Sequence, residues 1–210
     1  MGSLSEGLLL YAILLLSLTF HEFGHAWTAL RCGDDTAQRL GRVTMNPLAH
    51  ADLIGTVIFP LVQIFAGVPL IGWAKPVPFD PRKVRHPKRD DMLISSAGPI
   101  ANVVLAVSGA ILLRVITFEA LHEPLVWLIR INILLAVFNM IPIVPLDGSW
   151  ILYHVLPRDL AVRYMAFGAK WGFVVLLVLV YTGVTWQWVR AASSVLFPVL
   201  ETISGVRLRL

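Results

Sequence analysis

Long apolar runs separated by short polar intervals set the pattern of this chain. Several approach the roughly 20 residues that a helix needs to cross the hydrocarbon of a bilayer. The first covers about residues 7–30 and contains His21, Glu22 and His25. A polar stretch follows over 31–52, with turn signals at Gly33, Gly41 and Asn46-Pro47. Residues 53–72 are apolar but broken by Gly55, Pro60, Gly67, Pro69 and Gly72. The prolines of residues 72–91 argue for extended backbone rather than helix. Spans are predicted over 92–116, over 124–156, which carries Asp147, and over 171–186, joined in part by a short connection at 117–123. A last segment, 188–206, contains Arg190, Pro198 and Glu201 and either crosses the membrane or lies along it.

Composition agrees with that pattern. Of the 210 residues 57% are hydrophobic and 14% charged, and the mean hydropathy is +0.76. A soluble domain carries about 25% charged residues, so a water-soluble reading would leave too little polar surface to cover the core. The expected fold class is an all-α polytopic membrane protein with five to six membrane segments, one of them a re-entrant hairpin. It is read as a single domain over 1–210, with a core at 7–156 and accessory C-terminal segments at 157–210. No internal repeat or soluble accessory domain is visible. The first run is expected to stay in the protein rather than be a cleaved signal, because no Lys or Arg precedes Arg31.

The net charge of +4 and pI near 9.6 do not point to nucleic acid, because the excess sits in short loops between apolar runs. Arg31, Arg39 and Arg42 follow the first span, and Lys75, Arg82, Lys83, Arg85, Lys88 and Arg89 lie in the proline-rich stretch. Arg158, Arg163 and Lys170 follow the span with Asp147, Arg207 and Arg209 end the chain, and 117–123 has no Lys or Arg. The positive-inside rule puts the basic loops in the cytoplasm and 117–123 outside. That requires 53–72 to enter and leave on one side, with its exposed backbone covered by protein or a water-filled cavity. Cys32 is the only cysteine, which excludes a disulfide framework and a cysteine metal site.

Candidate chemistry begins with His21 and His25, four apart on one helix face. That spacing suits two ligands on one Zn²⁺, with Glu22 in reach of a metal-bound water as general base. Ionisable groups inside a span cost at least about 2.5–3.5 kcal/mol when charged at the centre, and they usually mark function. A catalytic zinc takes three protein ligands and keeps a position for water, and Asp147 is the best third ligand. It lies between Pro145 and Gly148 in an apolar span, where an unpaired carboxylate would be costly. The competing readings are a polar patch stapling helices and, for Asp147, a pair with Arg130 or Lys170. His50 and His86 lie in polar loops and are expected to be solvated. Gly24 is read as small for close helix packing.

F-H-E-F-G-H-A-W, S-A-G-P-I-A-N and N-M-I-P-I-V-P-L-D-G, in that order, closely resemble the site-2 protease family of intramembrane zinc metalloproteases, over about residues 7–156. The resemblance implies that His21, His25 and Asp147 bind one zinc per chain and that Glu22 activates water. It also implies that Asn102 helps hold the substrate or the tetrahedral oxyanion, the alternative being an interhelical hydrogen bond. Asn139 is either a second such amide or a partner for backbone that Pro142 frees. N-P-L-A-H-A-D-L-I-G and G-W-A-K-P-V-P further resemble a small bacterial and archaeal branch without PDZ or CBS domains, from which this chain departs at Leu53, where that branch often has Pro.

The expected reaction is peptide-bond hydrolysis within or near the bilayer, on a transmembrane protein substrate that unwinds locally. Residues 75–78 offer an extended edge to pair with it. The multi-pass protein is expected in the inner membrane of a prokaryote, its site open to the cytoplasm and its oligomeric state not legible. Two rivals come from other classes. A non-catalytic adaptor or chaperone keeping the fold would more readily have lost one of His21, Glu22, His25 or Asp147, and all four are present. A metal transporter would spread ionisable residues along several spans, whereas here they concentrate in one constellation.

Overall fold

The computed structural model describes residues 4–68 and 72–208; Pro69 and Arg209, which entered the reading of the hairpin and of the basic terminus, lie outside the described residues. Among the described residues the regular structure is helical. The long helices α1 (Leu4–Cys32) and α5 (Pro87–Val115) are separated by α2 (Thr36–Arg39), α3 (Pro47–His50), and a π-helical stretch, Leu53–Ile58, that runs into α4 (Phe59–Ala66). α6 (His122–Asn139), α7 (Asp147–Val155), α8 (Arg158–Tyr181) and α9 (Val184–Ser204) follow. Leu4–Cys32, Pro87–Val115, Glu119–Asn139 and Arg158–Tyr181 are long and apolar enough to cross a membrane. The chain is an all-α, multi-pass membrane protein.

Helix α5 is the hub, packed against α1, α6, α7 and α9. Small residues make this possible, since between helices in lipid close backbone approach is where packing is gained. A Cβ on Gly24 of α1 would fall 2.7 Å from the Ala97 carbonyl oxygen, so these two backbones touch there, as expected for Gly24. Ala106, Ala110 and Leu113 of α5 form the main core with Ile129, Ile133 and Val137 of α6 and Val189, Phe197 and Leu200 of α9. Large apolar side chains such as Ile100, Val104, Phe167, Phe173 and Leu177 face outward, a surface suited to lipid.

The hairpin follows from hydrogen bonds. Helices α1 and α5 run antiparallel, with His25 beside Ile94 and Ser17 beside Asn102. The Arg85 N–H donates to the Cys32 carbonyl at 3.2 Å, so the intervening chain leaves and rejoins the bundle at one end. In between, the Tyr11 hydroxyl donates to the Thr56 carbonyl at 2.9 Å, and Ile64 of α4 reaches Gly7 near the far end of α1. The chain returns extended, the Trp73 N–H on the Gly55 carbonyl at 3.1 Å and the Lys75 N–H on the His50 carbonyl at 2.9 Å. The Trp73 ring lies on Gly55, where a Cβ would come within 2.2 Å of it.

Three expectations need correction. The run 124–156 is two helices: α6 stops at Asn139 and α7 begins at Asp147. Pro142 and Pro145, the second after a cis peptide bond, cannot donate to a helical ladder and crowd the preceding turn. Gly148 permits the tight return, because a Cβ there would lie 2.3 Å from the Met140 carbonyl oxygen. The predicted span 171–186 starts instead at Arg158 and ends at Tyr181, and Trp186 belongs to α9. Arg158, Arg163 and Lys170 depress local hydropathy, yet Ala161, Gly168, Gly172 and Leu176 keep one buried face. His50 is buried, not solvated, its Nε2 2.9 Å from the Thr44 carbonyl oxygen. It is covered because α3 packs on α1.

Candidate metal centre

His21 and His25 project from one face of α1, their rings edge to face with centroids 4.7 Å apart. Each is held from behind by α5. The Nδ1–H of His21 donates to Asn102 Oδ1 at 2.7 Å, and that of His25 to the Ile94 carbonyl at 2.7 Å. A neutral imidazole with its proton on Nδ1 has a bare Nε2, and the two Nε2 atoms stand 3.1 Å apart. Asp147, the first residue of α7, completes the cluster with Oδ2 3.2 Å from His21 Nε2 and Oδ1 3.4 Å from His25 Nε2. The three expected ligands are thus brought together.

The donor set fits a metal ion. The three ligand atoms lie within 4.8 Å of one another, and Asp147 Oδ2 is buried with no hydrogen-bond partner among the described residues. Two imidazole lone pairs and a carboxylate converge with no donor among them, a costly arrangement unless a cation sits between. Two nitrogens and an oxygen suit Zn²⁺, with a fourth position left for water or substrate. Gly98 of α5 opens the space: a Cβ there would fall 2.3 Å from His25 Nε2 and 2.7 Å from His21 Nε2. Neither rival cation takes Asp147, since the Arg130 guanidinium lies over Trp127 and the Lys170 ammonium over Trp171.

Glu22 is also buried, and its Oε2 accepts the Val77 N–H at 3.1 Å. The extended segment therefore passes beside the centre. Its donors at 73, 75 and 77 are spent on Gly55, His50 and Glu22, while Pro76 and Pro78 on the alternate side have no N–H to give. Farther along, the Asp80 N–H donates to the fully buried Asp34 at 2.7 Å. Arg82 hydrogen-bonds the Asp80 carboxylate through Nε and Nη2, both at 2.9 Å, and holds its pKa down at about 2.

The two candidate amides differ in what they hold. Asn102 is fully buried, and its NH₂ donates to the Ser17 carbonyl at 3.1 Å and to Asn132 Oδ1 at 2.8 Å. With its oxygen on His21, no donor is left for an oxyanion, and the interhelical alternative describes its bonds. Asn139 gives an N–H to the Leu135 carbonyl at 2.9 Å, one turn back in α6, not to backbone near Pro142. Sequence reasoning missed Gly98, Asn132 and the pair of Asp91 on α5 with His154 on α7 at 2.6 Å. Asn132 did carry a signal, as a lone amide in an apolar run.

The relatives of this chain bear on the same chemistry. YwhC of Bacillus subtilis, provisionally named a zinc metalloprotease, is 35% identical over 199 residues, covering 90% of this chain and 84% of that protein. Rip2 of Mycolicibacterium smegmatis, with the same provisional designation, is 32% identical over 180 residues, 83% of this chain and 67% of that protein. Zinc metalloprotease MJ0392 of Methanocaldococcus jannaschii is 21% identical over 150 residues, 71% of this chain and 34% of that protein. No solved structure matches. Residues 9–120 and 114–179 match the model of peptidase family M50, and the chain belongs to that family, the zinc-dependent site-2 proteases.

Proposed function

We propose that this protein hydrolyses peptide bonds of transmembrane protein substrates within or near the bilayer, with His21, His25 and Asp147 as zinc ligands and Glu22 as general base. The observation that carries the reading is the convergence of two imidazole nitrogens on the two oxygens of the buried Asp147 carboxylate. A zinc ion supplies Lewis-acid polarisation of a carbonyl oxygen and brings the pKa of a water toward neutrality. The chain's own residues do the rest. Asn102 and the Ile94 carbonyl keep protons on the two Nδ1 atoms. Glu22, steadied by the Val77 N–H, takes the proton of the attacking water and passes it to the leaving amine.

A helical substrate hides its carbonyls in its own hydrogen bonds, so cleavage needs an unwound stretch. The free edge of residues 74–78 runs beside Glu22 and offers carbonyls, with Ala74 as its N–H donor, for strand-like pairing. Asn139 is assigned to the substrate side, since only one of its N–H groups goes to Leu135. Basic residues gather where α1 ends and α5 begins, and His154 ties the end of α7 to that region through Asp91. We assign this end to the cytoplasm. His25 lies about 10 Å from it at 1.5 Å per residue, so this is the shorter way for water to reach the centre. The bacterial and archaeal relatives support the inner membrane of a prokaryote as its location.

Cleavage of a fluorescent transmembrane peptide by wild type and Glu22→Gln tests this. The variant should keep its zinc and lose about 10²–10⁴-fold in rate; a Glu22→Gln protein that cleaves as fast as wild type overturns the mechanism.

A further inference from the structure

An asparagine side chain has an oxygen end and a nitrogen end of nearly the same shape, so its orientation is decided by what surrounds it. Around Asn102 the decision is made by a hydrogen-bond chain across three helices. It starts at Ser17 on α1, whose hydroxyl donates to the Ile13 carbonyl at 2.7 Å, leaving Ser17 Oγ free to accept. Asn132 on α6 gives one N–H to that Oγ at 2.8 Å and the other to the Leu128 carbonyl at 2.8 Å. Both its donors are then spent, and its oxygen faces Asn102. Asn102 in turn gives its NH₂ to Asn132 Oδ1 and to the Ser17 carbonyl, so only its oxygen remains for His21. Ser17, Asn102 and Asn132 are each 0% exposed, and no bulk water competes for these bonds.

We propose that Asn132 is a positioning residue that, through Asn102, holds His21 in the tautomer able to bind zinc. With Asn102 reversed, an N–H would face His21 Nδ1, the ring would carry its proton on Nε2, and the atom aimed at Asp147 could not ligate. The inference rests on the zinc ligands assigned above. It differs from a plain interhelical staple, which would hold α1, α5 and α6 together whatever the state of His21.

The test is zinc affinity, by chelator competition on the full chain in detergent, with thermal denaturation of the zinc-free protein alongside. Asn132→Leu should weaken zinc about 10–100-fold, the usual effect of losing a group that orients a ligand. The same substitution in an Asn102→Asp background should cost no more than a few-fold relative to Asn102→Asp alone, because a carboxylate presents an acceptor to His21 in either orientation. Ser17→Ala, a smaller change, should weaken zinc in the same direction and serves if Asn132→Leu does not fold. Unchanged affinity in Asn132→Leu, or in Ser17→Ala where that variant stands in, overturns the proposal. An equal loss in the native and Asn102→Asp backgrounds also does, because it marks a staple. A wild-type chain that binds no zinc would instead overturn the ligand assignment itself.

Discussion

The Val77 N–H and Glu22 Oε2 meet at 3.1 Å, so the extended segment that closes the hairpin is fastened to the acid between the two histidines. Val77→Pro removes this one donor and lengthens an already proline-rich extended run. A hydrogen bond to a charged acceptor is worth about 1.5–3 kcal/mol. Hydrolysis should therefore fall about tenfold or more while zinc content stays at the wild-type level. A wild-type rate would show that Glu22 does not depend on the segment.

Gly98 separates α5 from the two imidazoles by less than the width of a methyl group. Gly98→Ala should displace His21 and His25 and abolish zinc binding, with helix content by circular dichroism largely retained. Full zinc occupancy in this variant would show that the rings have more freedom than their Nδ1 anchors at Asn102 and Ile94 suggest.

How far the sequence carries is visible in these residues. The spacing of His21, Glu22 and His25 fixes a helix face whatever the rest of the chain does, so that part of the site is legible at once. Asp147 is legible because a carboxylate in an apolar run needs a partner. The roles of Gly98, Asn132 and Val77 are not, even where Asn132 stands out as a lone amide in an apolar run, because each acts through a contact with a residue distant in the chain. The same limit blurs the helices. Hydropathy averages over Pro142 and Pro145 and hides the break before Asp147, and it discounts the charged first half of α8, whose buried stripe is made of small residues. His50 reads as solvated because it falls in the polar stretch between two apolar runs, although tertiary packing covers it.

Helix α8 is held largely by that stripe. Gly168 and Gly172 seat Val144, and a Cβ at 172 would lie 2.2 Å from the Val144 carbonyl oxygen. The Tyr164 hydroxyl donates to the Pro142 carbonyl at 3.1 Å on the same face. Overpacking of this kind costs about 1–3 kcal/mol. Gly172→Ala should lower the midpoint of thermal unfolding in detergent and weaken zinc binding, because the loop it pushes ends at Asp147. A normal midpoint with normal zinc affinity would separate α8 from the metal centre.

The antiparallel packing of α1 and α5 makes the topology testable. Cysteines placed singly at Arg85 and Glu119 in a Cys32→Ser background can be probed on intact cells with an impermeant thiol reagent. Position 119 should label and position 85 should not. Labelling at 85 without 119 would reverse the orientation and put the basic loops outside.

Zinc binding by the wild type and by Asp147→Ala tests the central claim most directly, because Asp147 joins the centre from a separate helix and only the fold brings it there. Titration of metal-free protein, with the metal bound at saturation counted by mass spectrometry, should give one zinc per wild-type chain. Asp147→Ala should bind it at least tenfold more weakly. One zinc per chain at wild-type affinity in Asp147→Ala would contradict the account.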